Sequence, residues 1–157
     1  MPPAAGAFHP TTINPATGLA TDYLNHFNEA IMLLDMLAQC PDLLEDFLAW
    51  TPMSYRDHFA ASRLKDRDAI IAAYEDANPD ARRGLEALAT AMTTMLEATR
   101  IALRGEPSLA QTAATAQHIV AMLKPLIARA GAVINGVPID EQHAAPPQAE
   151  VDRLMVA

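Results

Sequence analysis

Residues 21–39 read TDYLNHFNEAIMLLDMLAQ, and the spacing of the apolar positions in this stretch decides the fold class. At about 100° per residue, the α-helical step, Tyr23, Leu24, Phe27, Ala30, Ile31 and Leu34 share one broad arc with Leu33, Leu37 and Ala38. Asn25, Asn28, Asp35 and Gln39 fall on the opposite side. A division with this period belongs to an amphipathic helix with a wide buried face. Thr21 or Asp22 offers a side-chain oxygen to the amides of the first turn, so a helix is expected over 22–39, ended by Pro41.

His26 departs from the pattern. Its direction lies between those of Leu33 and Leu37, at the edge of the apolar arc, and Glu29 borders the same side three residues later. Positions three apart are neighbours on a helix surface. An imidazole and a carboxylate therefore point to one place, where this helix is expected to meet the two long helices that follow later in the chain.

Outward from this stretch, the chain is rich in helix formers. Half of its 157 residues are in the hydrophobic class, many of them alanine, with eight methionines. β-Branched and aromatic residues, which favour strands, are comparatively sparse. Length and composition suit one all-α domain with one core.

Residues 1–20 carry Pro2, Pro3, Pro10 and Pro15, and Asn14-Pro15-Ala16-Thr17-Gly18 has turn chemistry. They are expected to form an extended arm, pinned if Phe8, Ile13 and Leu19 reach the bundle. After the first helix, Asp42 and Glu45 have capping-box spacing and start a short helix to about Trp50. Ser54 opens another over 55–62, with Tyr55 and Phe59 as anchors. Asp66 or Asp68 starts a third, ending near Ala77.

Asn78-Pro79 is a strong start signal for a long helix over 79–104, with Gly84 marking close packing and Gly105 the stop. Ser108 and Gln111 form a second capping box before a helix over 109–134, in which Pro125 predicts a kink. The expected architecture is an antiparallel bundle of three long and about three short helices over 21–136. Residues 137–157 are expected to be a flexible tail.

The formal net charge of −8 disfavours nucleic acid and anionic membrane surfaces, which need a basic footprint. No run reaches the roughly 18 continuous apolar residues of a membrane span. The N-terminus lacks the pattern of a secretory signal, and the single cysteine, Cys40, permits no internal disulfide. Together these features lead to the expectation of a soluble cytoplasmic protein.

The candidate chemistry gathers around His26, Glu29 and His58, with Tyr55 and Asp57 beside them. Imidazole and carboxylate donors suit a divalent metal such as zinc or iron, and bundles build such sites from facing helices. The competing reading is that His26 bonds a backbone carbonyl or Glu29 and fills a boundary position. His118 points outward from the last helix, as a phosphotransfer histidine does, or is an ordinary surface residue. Arg63, Lys65 and Arg67 alternate with Asp66 and Asp68 in what reads as a solvated link. Met32 and Met36 point away from the core arc and suggest a contact surface.

Three expectations follow. The first is a non-enzymatic bundle acting through protein contacts, as a homo-oligomer or partner subunit. The second is a metal- or small-ligand-binding bundle, with catalysis left open, built on His26, Glu29 and His58. The third is phosphotransfer through His118.

Overall fold

A computed structural model describes residues 13–105 and 107–137. Residues 1–12 of the expected arm over 1–20, and residues 138–157 of the expected tail over 137–157, lie outside the described residues. The architecture is all-α. A 3-10 turn, Thr21–Tyr23, leads into α1 (Leu24–Asp35). Then come α2 (Leu43–Ala49), α3 (Tyr55–Ala61), α4 (Arg67–Glu75), α5 (Pro79–Arg104) and α6 (Leu109–Ile134). No strand occurs among the described residues.

The two longest helices form an antiparallel hairpin. Gly84, near the start of α5, faces Val133, near the end of α6, and a Cβ on that glycine would stand 3.5 Å from a Val133 methyl. The stripe Leu85, Met92, Leu96 and Leu103 is sunk into the core from α5, and Val120, Leu123, Ala130 and Ile134 from α6. α1 lies chiefly against α6 and α2. Its start meets the end of α6, where Leu24 sits beside Gly131. The apolar arc is thus buried largely by one of the two long helices, with α2 closing much of the remainder.

Most of the arc behaves as its periodicity requires: Phe27, Ala30 and Leu34 are fully buried, and Tyr23, Leu24, Ile31, Leu33 and Leu37 nearly so. Ala38, expected on the same arc, is exposed, because the helix has ended before it. α1 itself ends at Asp35, earlier than Pro41 implies. Beyond it the chain winds on only as turns, with Leu37 N–H bonded to the Leu34 carbonyl and Cys40 N–H to the Met36 carbonyl.

Helix caps divide by backbone conformation. Ser54 and Ser108 are extended, with ψ of 164° and 162°, and Asn78 has ψ of 122°; each accepts an amide of its own first turn. The Ser108–Gln111 box is complete in both directions. Asp42 is already helical at φ −64° and ψ −19°, and its side chain makes no cap bond. Asp66 and the 3-10 turn at Thr21 likewise lack a side-chain cap. A cap side chain reaches the free amides only from a non-helical residue, so Asp42 cannot act as expected.

Residues 13–20 are anchored. Leu19 and Ala20 are fully buried, and Thr17 is 5% exposed. The Thr17 hydroxyl donates to the Ile134 carbonyl at 2.6 Å, and its carbonyl accepts from Asn78 N–H at 2.9 Å. Gly18 has a φ of +78°, with the Ala77 Cα 3.2 Å from where a Cβ would be. Only glycine takes this backbone without strain so close to a neighbour. α6 continues through Pro125 without a break. Pro125 and Ala121, whose carbonyl loses its helical partner, are both exposed, so water can satisfy that carbonyl.

Candidate functional site

The link between α2 and α3 is the centre of the site. Trp50 ends α2 in an extended conformation, and Thr51, Pro52, Met53 and Ser54 carry the chain across α1 to α3. No helix holds this segment, so its groups need partners elsewhere. His26 supplies two. Its Nε2 lies 2.6 Å from the Thr51 carbonyl, and its own carbonyl accepts from the Trp50 indole N–H at 3.0 Å. A carbonyl only accepts, so this nitrogen carries the proton. The imidazole also stacks on the indole, with centroids 4.7 Å apart and planes at 26°. From α5, Arg100 donates to the Trp50 carbonyl at 2.7 Å while its other nitrogen pairs with Glu97. The Tyr23 hydroxyl donates to the Met53 carbonyl at 2.9 Å. The link is thus a strap tied down along its length.

Of the three residues expected to gather, two do. The His26 and His58 rings stand 5.9 Å apart, and Tyr23 lies 5.8 Å from His58. Burial, and next the neighbouring His26, push the His58 imidazole below its ordinary value, against the raising effect of the Asp22 carbonyl bond and carboxylate. Glu29 is exposed on α1. Among the described residues no group of three or more His, Cys, Asp or Glu side chains stands where it could hold a metal ion. The carbonyl partner of His26 is the boundary arrangement that any half-buried imidazole needs.

Beside the strap is a cleft of about 370 Å³ whose described lining does not include His26. One wall is Pro52, Met53 and Ser54 with Tyr23 and Tyr55; Tyr74 of α4 continues it. The facing wall is α5, from Leu85 and Glu86 through Ala89 and Thr90 to Thr93 and Thr94. Tyr74 stacks on Tyr55 with centroids 4.4 Å apart at 18°, and Tyr23 leans on Tyr55 at 5.2 Å. The Tyr55 hydroxyl accepts from the buried Ala20 N–H at 2.8 Å. The Tyr74 hydroxyl donates to the Glu86 carboxylate across the cleft.

Burial foremost, with Glu86 second, pushes the Tyr23 phenol up to about 12. Burial pushes Tyr55 up to about 12 as well, with Asp22 adding to it and the Ala20 bond opposing it. Tyr74 is also raised, by burial and then by Glu86. These phenols are neutral at physiological pH. They offer ring surface and fixed hydroxyls, and they are poor proton acceptors there.

Sequence reasoning singled out His26, His58 and Tyr55 but passed over Tyr74, Glu86 and the threonines. One signal was present. Glu86, Thr90, Thr93 and Glu97 recur at helical spacing beside the apolar stripe of α5, and two of the four are hydroxyl residues rather than charges.

The other sequence candidates stand apart from the cleft lining. His118 is exposed on α6, Cys40 is exposed, and Met32 and Met36 are 51% and 43% exposed on successive turns. Arg67 closes the end of α3, donating to the Ser62 carbonyl at 3.1 Å. No described helix is long and apolar enough to cross a membrane.

No protein-family model matches the chain, and neither a curated protein nor a solved structure matches it.

Proposed function

We propose that this chain is a small-ligand-binding helical bundle whose site is the cleft between the 52–54 strap and α5. The observation that carries the reading is the cleft itself: about 370 Å³, within the size range of small-molecule pockets, with an aromatic wall facing a carboxylate and three threonines. Its walls are pre-formed by hydrogen bonds from Tyr23, Tyr55 and Tyr74, so little ordering remains to be done on binding. In this reading His26 is a positioning residue: it holds the strap and does not touch the ligand. A soluble cytoplasmic setting belongs to the same proposal.

The test is a fragment screen by amide chemical shifts on the full chain. Hits should shift Glu86, Thr90 and Thr93 together, and Thr90→Trp, which places a large ring at an exposed cleft position, should abolish them while leaving the far-UV spectrum unchanged. Fragments that bind only elsewhere, or that bind Thr90→Trp equally well, would sink the proposal.

A second reading is favoured by one observation, the outward Met32 and Met36 pair at the end of α1. Two large apolar side chains a turn apart in water suit a protein contact, whether with a second copy or a partner subunit. Light scattering of the native chain beside Met32→Glu and Met36→Glu checks it. A monomer, identical in all three and capturing no partner, counts against a contact role.

A further inference from the structure

We infer that the cleft selects a small organic cation, an ammonium compound with an apolar body; this rests on the ligand-binding reading above. Among the described residues, Glu86 is the only charged one in the lining. One of its oxygens, Oε2, accepts from the Tyr74 hydroxyl, and the carboxylate is in no ion pair among the described residues. The two arginines one turn back on α5 are engaged elsewhere: the Arg82 guanidinium lies 5.5 Å from the centroid of the Tyr74 ring and donates to the Tyr74 carbonyl at 3.2 Å, and Arg83 pairs with Asp80. Glu86 therefore presents a negative charge with unfilled acceptor capacity to whatever enters.

That charge decides the ligand class through desolvation. A body resting on Tyr23, Met53, Leu85 and Ala89 covers the cleft and strips water from the carboxylate. Without a compensating charge this costs free energy, because an unpaired carboxylate loses more by leaving water than apolar contact over one side chain returns. An ammonium restores the lost interactions with a charge-assisted hydrogen bond. An acid adds repulsion, in a chain whose net charge is already −8. The field of Glu86 is felt across the cleft, where it helps to push the Tyr23 phenol upward. Thr90, one turn along α5 from Glu86, and Thr93 beyond it hold hydroxyls that can take the remaining ammonium hydrogens.

The experiment compares three probes of one shape on the full chain: phenethylammonium, 2-phenylethanol and 3-phenylpropionate. Binding is read by calorimetry and by amide shifts at Glu86, Thr90 and Thr93. The expected result is that the ammonium binds about tenfold or more tighter than the alcohol and that the acid does not bind at the cleft. Glu86→Gln keeps an acceptor for the Tyr74 hydroxyl and loses the charge. It should bring the ammonium to within about twofold of the alcohol, whose affinity stays as it was. Equal affinity for ammonium and alcohol, cleft binding of the acid, or a preference that survives Glu86→Gln would overturn the inference and leave the ligand-binding reading standing. If none of the three probes shifts the cleft amides, the inference falls, and the fragment screen decides the ligand-binding reading separately.

Discussion

Replacing Tyr55 by phenylalanine removes one oxygen and leaves the ring in place. The ring contacts with Tyr23, Phe59 and Tyr74, at centroid distances of 5.2, 4.8 and 4.4 Å, do not involve that oxygen. What is lost is the acceptor for the Ala20 amide, 2.8 Å away at a residue with no solvent exposure. A buried donor left unpaired costs about 1–3 kcal/mol, whereas the cavity left by one hydroxyl adds little. For a chain of this size each kcal/mol lowers the melting temperature by about 2–4 °C, so a loss near 2 kcal/mol appears as about 4–8 °C. Tyr74→Phe is the control, since its hydroxyl bonds the exposed Glu86 and its loss should stay within about 0.5 kcal/mol.

Urea and thermal unfolding at pH 7, followed by Trp50 fluorescence and far-UV dichroism, measure both variants. The slope against urea should not change. The same residue also predicts an alkaline limb. Its folded value lies near 12 against an ordinary 10.0, so between these values the folded state keeps a proton that the unfolded state has lost. Stability is then fully present below pH 10 and drains away as pH rises towards 12, and Tyr55→Phe should flatten that limb. A Tyr55→Phe chain as stable as the parent, or a Tyr74→Phe chain equally damaged, would refute the reasoning.

Acidification should act through His58. Its folded imidazole is held below 6.5, so the unfolded chain binds the extra proton first; stability is highest above pH 6.5 and falls as pH drops through the folded value, and His58→Gln should shrink that acid limb in a pH series of urea midpoints. Gly18→Ala forces a side chain into the left-handed region at φ +78°, with the Ala77 Cα 3.2 Å away, and should cost about 1–3 kcal/mol by denaturant titration; an unchanged midpoint would mean that the turn relaxes freely. Pro125→Ala restores a backbone donor at an exposed point in the middle of α6 and should raise stability by about 1–3 kcal/mol, and a lowered melting temperature would show that the helix depends on proline there.

The helices were legible because their signals are local. The arc through Phe27, Ile31 and Leu34, the Asn78-Pro79 start and the Ser108–Gln111 box each act within a turn or two of their own residues. The failed caps show where local reading stops. Asp42 has the right chemistry and spacing, yet the preceding turns deliver it already helical, so its side chain cannot reach back. The candidate site was legible only in part. His26 and His58 carry a chemical signature, and they do approach each other. The expectation that Glu29 would join them assumed that a border position turns inward, whereas it faces water.

By itself the chain's order of residues determined which segments coil and which side of each is apolar, since both follow from a period of about 3.6 residues and from short-range hydrogen bonding. Only the tertiary structure decided that His26 ties down a strap 25 residues away and that Tyr74 of α4 meets Glu86 of α5 across a cleft. The reason is that a cleft is the space left between separately folded surfaces. Its lining comes from the 3-10 turn before α1, the strap, α3, α4 and α5 at once, and no periodicity within one segment records how far it stands from the next.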